Sequence, residues 1–382
     1  MNSDAPVGAN ANHYLLRFAL LCALFTPRAA LALLNIDGTR NQVFVFGEVN
    51  LGYDSNITAQ HGGQGDFSTT ASIGLELKRR AGIIAVSTRV VLDYVRYAKI
   101  TGQNTWNPSV YVEFSKSTGR TTGTLTLDAY RTSQADSAVN IRTNSWSYPL
   151  GLNLKYPVSG QFYFTSNTGY LSQRYINNTA LSNFHDVSEG VDMFYVYSSK
   201  LDLFGGYRYR LSLTDRSRTV DHNFSFGATG GILPKLNGTV RLGYQFRNQS
   251  ATQEQFNQLS ASLSLSWNAT RKLTFSSQVS RDFSTTATAV SVDTLSGTVG
   301  GNYVFTRRFQ VNAGIGGGQN TFLGKLNLPR QDEFFSCNLG ASYSYNEHLR
   351  INLTYAFLHN RSTLTSSNFE RNNYTLDFAS RF

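Results

Sequence analysis

Arg208 and Arg210 stand two residues apart in "GYRYRLSLTDRS". Arg241 and Arg247 stand six apart in "VRLGYQFRNQ". In an extended chain, even spacing puts both members of a pair on one face. A guanidinium offers a planar fork of donors that suits carboxylate and phosphate groups. Acids take the same face in other segments: Glu48, Glu76, Asp93, Glu113 and Asp128. These nine residues are candidates for lining a polar passage in which arginines meet anionic groups on a substrate. They fit equally well as ion pairs that hold a wall in shape.

Catalytic chemistry has less to draw on. The six histidines are His13, His61, His185, His222, His348 and His359, and none has metal-ligand spacing. His185–Asp186 and Asp221–His222 are chain neighbours, so in a strand their side chains point opposite ways. "GATGGI" and "GIGGGQ" lead into no helix, so they read as strand glycines and not as phosphate loops. No enzyme activity, cofactor or metal is expected. The formal net charge is +10, but the charges are dispersed. Contact with anionic lipopolysaccharide accounts for them better than nucleic acid does.

The elements that would carry these residues are strands. Aromatic residues make up 13% of the chain and charged residues only 15%, a composition that suits strands and turns. From Gln42 onward apolar and polar residues alternate. In "FSTTASIGLELK", Phe67, Ile73, Leu75 and Leu77 share one face while Ser68, Ser72, Glu76 and Lys78 share the other. A helix would repeat apolar residues at three and four. Eighteen alternating segments follow one another to the end of the chain. Their connections alternate in length. Short ones include "RRAG" (79–82), "PVSG" (157–160) and "TRR" (306–308). Longer polar ones include "SNITAQHGGQGD" (55–66) and "NRSTLTSSNFERN" (360–372).

Short and long connections in alternation, with an even strand count, predict an all-β transmembrane antiparallel outer-membrane β-barrel. It would have about 18 strands, short periplasmic turns and longer extracellular loops. The apolar face carries aromatics at both strand ends. Tyr156, Tyr197, Trp267 and Phe305 lie near short turns, and Tyr53, Tyr94, Trp146, Tyr170 and Tyr244 near long loops. Bilayer interfaces favour such girdles. Leu349 to Phe357 rises about 26 Å along the strand, or roughly 20 Å tall once tilted about 40°. The longest connection is about 18 residues, so the loops read as too short for a deeply infolded constriction. The passage is then rather open, or filled by inward aromatics such as Phe44, Phe46, Tyr163, Phe194 and Phe204.

The first residues differ from the rest. "YLLRFALLCALF" (Tyr14–Phe25) is too short to span a bilayer as a helix. It is followed by an A-x-A site at Ala30 and Ala32. This predicts a signal peptide over 1–32, a short periplasmic segment over 33–41 and one barrel domain over 42–382. Cleavage would leave Cys337 without a disulfide partner.

The end of the chain, "NYTLDFASRF", sets Tyr374, Leu376 and Phe378 on one face and closes on Phe382. It resembles the β-signal of Gram-negative outer-membrane proteins, which implies recognition by the barrel-assembly machinery through strand addition. Ser380 departs from that pattern. "GEVNLGYDSNITA" (Gly47–Ala59), with Tyr53, Asp54, Ser55 and Asn56, resembles the first strand and loop of the putative beta-barrel porin 2 family. "GYLSQRYINN" and "GYRYRLSLTDRS" are similar to its Gly-Tyr strand ends. The resemblance implies an outer-membrane channel associated with export of an extracellular polysaccharide, with that polymer and periplasmic export proteins as partners. A general or solute-selective diffusion porin, or a structural or adhesive barrel without transport, stays open on the residues alone.

Overall fold

In a computed structural model of the chain, the structure describes residues 41–382 apart from 177, 179, 251–252 and 325–329. The expected signal peptide and nearly all of the segment after it fall outside the described residues. Eighteen strands follow in order: β1 (Asn41–Asp54), β2 (Asp66–Ala81), β3 (Ile84–Tyr97), β4 (Thr105–Lys116), β5 (Thr122–Asp136), β6 (Ile141–Pro157), β7 (Phe162–Tyr175), β8 (Phe184–Val196), β9 (Leu201–Thr214), β10 (Arg218–Leu233), β11 (Leu236–Gln249), β12 (Glu254–Trp267), β13 (Leu273–Thr285), β14 (Ser291–Val304), β15 (Phe309–Leu323), β16 (Gln331–Ser344), β17 (Leu349–Ser362) and β18 (Phe369–Arg381). Each pairs antiparallel with its neighbours in sequence, and β1 pairs with β18. The sheet therefore closes into a barrel in which every strand is paired on both sides over at least part of its length, the way strands satisfy their backbone in lipid.

The barrel is inside-out relative to a soluble protein. Ile73, Leu259 and Phe226 lie more than 60% exposed on the outer face. Lipid is the solvent there, so these side chains need no further cover. The least exposed side chains are polar: Gln245 and Arg247 are both 0% exposed. Such groups are tolerated inside only when hydrogen-bonded or paired.

The closing seam between β1 and β18 is pinned at both ends. At the inner end Val45 and Phe382 exchange backbone bonds of 3.0 and 2.8 Å. At the outer end the Arg371 guanidinium donates to Asp54 at 2.6 and 3.0 Å. Asp54 Oδ1 also accepts the Asn56 backbone N–H at 3.0 Å, and Asn56 accepts from the Gln60 backbone. The "YDSN" stretch thus turns the chain out of β1 and clamps the barrel shut.

Candidate functional site: the charged lumen

Parity on β9 and β11 sends Arg208, Arg210, Arg241 and Arg247 inward. Their partners lie on other strands. Arg241 on β11 makes two parallel bonds of 2.8 Å to Asp192 on β8. Arg208 on β9 reaches Asp282 on β13 at 2.8 Å. Arg247 grips Asp221 on β10 through Nε and Nη2 at 2.6 and 2.7 Å. Arg210 shares that carboxylate at 2.7 Å. Contacts spanning three or four strand positions bridge the concave inner surface. Each of the four arginines is therefore bonded to an aspartate, with Arg210 and Arg247 sharing one carboxylate.

Gly206 makes one of these pairs possible. A Cβ there would stand 1.7 Å from Asp192 Oδ1, so only glycine leaves room for the carboxylate that Arg241 holds. Beneath Arg241 the ring of Phe204 lies 4.4 Å from the guanidinium, and Phe204, Phe194 and Tyr163 stack in turn at 5.0 and 4.6 Å. The inward aromatics named from sequence thus pack against the wall and carry cations on their faces.

The acids predicted as pore-lining sit on the facing arc. Glu76 is paired with Lys78 and Arg381, both at 2.8 Å. Glu113 accepts the Tyr111 hydroxyl at 2.6 Å. The strand register sets Glu48 level with Ser72 and Asp93, and Asp128 beside Tyr111. Asp377 on β18 accepts from Asn352 at 2.7 Å and lies close to Glu48. Among the described residues Glu48, Asp93, Glu113, Asp128 and Asp377 make no ion pair within 4 Å. Arg89, over the ring of Phe46, offsets part of the charge at Glu48. The register sets these acids and the four arginines on the lumen-facing parity of their strands, as the sequence spacing implies. The spacing did not separate an arc of aspartate-bonded arginines from an arc of free acids.

A cavity of about 390 Å³ opens on the arginine arc, lined among others by Asn167, Asp192, Arg208, Asn223, Arg241 and Asp282. Serines 188, 225, 260, 262 and 280 complete it. Its surface is polar but locally charge-balanced. A second, open cleft of about 560 Å³ lies among the outer loops beside His61, His359 and Glu370. Neither cleft holds a cluster of metal-ligating groups among the described residues. His185 and His222 point outward and bond to Tyr170 and Tyr207 at 3.1 and 2.7 Å.

The mouth corrects one expectation. The loops are not too short to fold in. Arg330, before β16, donates to the carbonyls of Ala138 and Ser137 between β5 and β6, at 2.6 and 3.0 Å. Ser182, between β7 and β8, donates its backbone N–H to Ala287 between β13 and β14 at 2.7 Å. Arg142 on β6 reaches the Ile57 carbonyl at 3.4 Å. Ile57, Ala287 and Ser367 are buried in this layer. Several short loops leaning inward from different strands cover what one long loop would.

Several lumen residues escaped the sequence reading. Asp202 and Asp282 follow the inward parity of their strands and were legible. Phe283 and Asp293 follow the outward parity and were not.

Comparison with known proteins agrees with this geometry. The model of the putative beta-barrel porin 2 family matches residues 221–382. A search of curated proteins found no match. Among solved structures the chain resembles Pseudomonas aeruginosa OpdQ at 10% identity and a TM-score of 0.51, over 90% of this chain and 97% of that one. It resembles P. aeruginosa OccK2 (OpdF) at 9% identity and a TM-score of 0.51, over 90% and 98%. For P. aeruginosa OpdK, solved with vanillate, the values are 10% and 0.50, over 89% and 99%. The inward polar face, the outward apolar face and the closed 18-strand sheet converge: the chain has the fold of the outer-membrane porin barrels, and its residues 221–382 match the putative beta-barrel porin 2 family.

Proposed function

We propose that the chain is a solute-selective diffusion channel for hydrophilic, hydroxyl-rich molecules. The observation that carries this reading is the 390 Å³ cavity. Its arginines are already bonded to aspartates, so it offers no free cation to a carboxylate. It does offer serine hydroxyls, amides and fixed ion pairs, which suit the alternating donors and acceptors of a polyol. Liposomes holding the purified chain should swell in a neutral tetrasaccharide. Failure to swell, with the barrel folded, would remove this reading.

Association with export of an extracellular polysaccharide is the second reading. The resemblance of the first strand and the family match over residues 221–382 favour it. It demands more of the structure, because the loops that meet over the mouth must part to pass a polymer. Surface polysaccharide lost from a strain lacking this gene, and restored by the intact gene, would support it. In either case the chain is exported by a cleaved leader, is read by the assembly machinery through Tyr374, Leu376, Phe378 and Phe382, and presents its basic surface to lipopolysaccharide.

A further inference from the structure

The barrel wall parts most widely between β12 and β13, where the ladder is shortest. β11 and β12 share fourteen register pairs, and β13 and β14 share thirteen. β12 and β13 share only seven, from Trp267↔Phe275 to Ala261↔Arg281. Beyond that point the two strands part. Had the ladder continued, Leu259 and Phe283 would sit opposite each other on the lipid face. Leu259 is 66% exposed there, whereas Phe283 is 3% exposed and lies under the Arg247 guanidinium at 4.9 Å. Former neighbours by register are on opposite sides of the wall.

The outer half of the β13–β14 hairpin has therefore turned into the lumen as a tongue. Its outward-parity residues now cover the inward face of β11 and β12. Ser291 donates to Gln249 at 3.2 Å, and the Gln258 amide nitrogen, facing the carboxylate, donates to Asp293 at 2.6 Å. Arg210 and Arg247 donate to the backbone carbonyls of Phe283 and Ser284 at 2.6 and 2.7 Å. The tip is tied to Ser182 across the arginine arc. Ser284 stays exposed, on the face turned away from β11.

We propose that this tongue is the constriction that sets which solutes pass. Arg210 and Arg247 are its positioning residues and do not bind the solute. The proposal rests on the channel reading above. It places the narrowest point between a folded-in piece of wall and the acid-bearing arc.

The test uses the full chain with Cys337→Ser, in planar bilayers, with neutral polyethylene glycols of graded size as probes. A release variant, Arg210→Gln with Arg247→Gln, Asp221→Asn and Asp186→Asn, removes the lock and takes away two positive and two negative charges together. Conductance should rise about twofold or more, and larger glycols should enter. Joining Gln249→Cys to Ser291→Cys by oxidation in the release variant should restore the original size limit. A folded release variant with unchanged conductance and size limit would overturn the proposal. A second measurement does not depend on that variant folding. A charged thiol reagent should block Ser284→Cys far more than Ser264→Cys, which lies on the wall below the tear. Equal block, or none at Ser284→Cys, would overturn the proposal. A wild-type barrel that folds yet passes no current would overturn the channel reading itself, and the proposal with it.

Discussion

Arg241 and Asp192 meet through two parallel bonds of 2.8 Å although their strands stand three positions apart in the wall. Such a fork-to-fork pair is strong only while both partners are present, since either one alone is a partly buried charge without compensation. Asp192→Ala should destabilise the barrel more than Asp192→Ala combined with Arg241→Ala. The coupling should be on the order of 0.5–3 kcal/mol. Equilibrium unfolding in urea, followed by tryptophan fluorescence, measures it. Additive effects would mean that the pair holds nothing.

Gly206→Ala tests the same pair from below. The new methyl would displace the Asp192 carboxylate. The expected cost is about 1–3 kcal/mol, typical of overpacking. The same Gly206→Ala change should cost much less when made in an Asp192→Gly background, because the clash then has no target. Wild-type stability in Gly206→Ala alone would contradict the arrangement.

Ion selectivity should follow the free acids and not the arginines. The four arginines of the arc are held by Asp192, Asp221 and Asp282, while Glu48, Asp93, Glu113, Asp128 and Asp377 have no ion-pair partner among the described residues. Carboxylates lining a passage favour cations. In a potassium chloride gradient the reversal potential should have the sign of cation flow. Glu48→Gln with Asp93→Asn should bring it closer to zero. Anion preference in the wild type would contradict the charge assignment.

The two faces of one strand should answer a charge differently. Leu353 is apolar and exposed on the outer face of β17. An arginine facing lipid costs roughly 2–4 kcal/mol near the bilayer midplane. Leu353→Arg should therefore lower the urea midpoint of the folded barrel clearly. Ser264→Arg, on the lumen face of β12, should leave it nearly unchanged. Equal losses would mean that the outer face does not meet lipid.

We propose that Phe382 also serves assembly. Its ring stacks on His348 at 5.2 Å and its backbone pairs with Val45. Deleting Phe382 should lower the amount of barrel in the outer membrane more than it lowers the stability of barrel refolded in detergent. Equal losses would assign Phe382 to the seam alone.

Strand number, parity and the two girdles were legible because a bilayer on one side and water on the other force a period of two on every strand. The same parity puts Arg208, Arg210, Arg241 and Arg247 on one face of their strands. It could not name their partners. Asp282 meets Arg208 because the outer half of β13 leans into the lumen, and such a lean leaves no mark on the alternation. The places of Phe283, Asp293 and Ser291 were not legible for a deeper reason. Their alternation is that of lipid-facing residues, and the tear above Ala261↔Arg281 turns this face inward. The inward lean of the outer loops was missed because loop length was weighed one loop at a time, whereas Arg330, Ser182 and Arg142 draw them together.

The most direct test of the account is single-channel recording of the purified full chain in planar bilayers. The account predicts discrete, cation-preferring current steps from barrel that runs as folded on unheated gels. Folded barrel that inserts and gives no steps would contradict a channel, and would leave a wall whose ion pairs serve only to hold it closed.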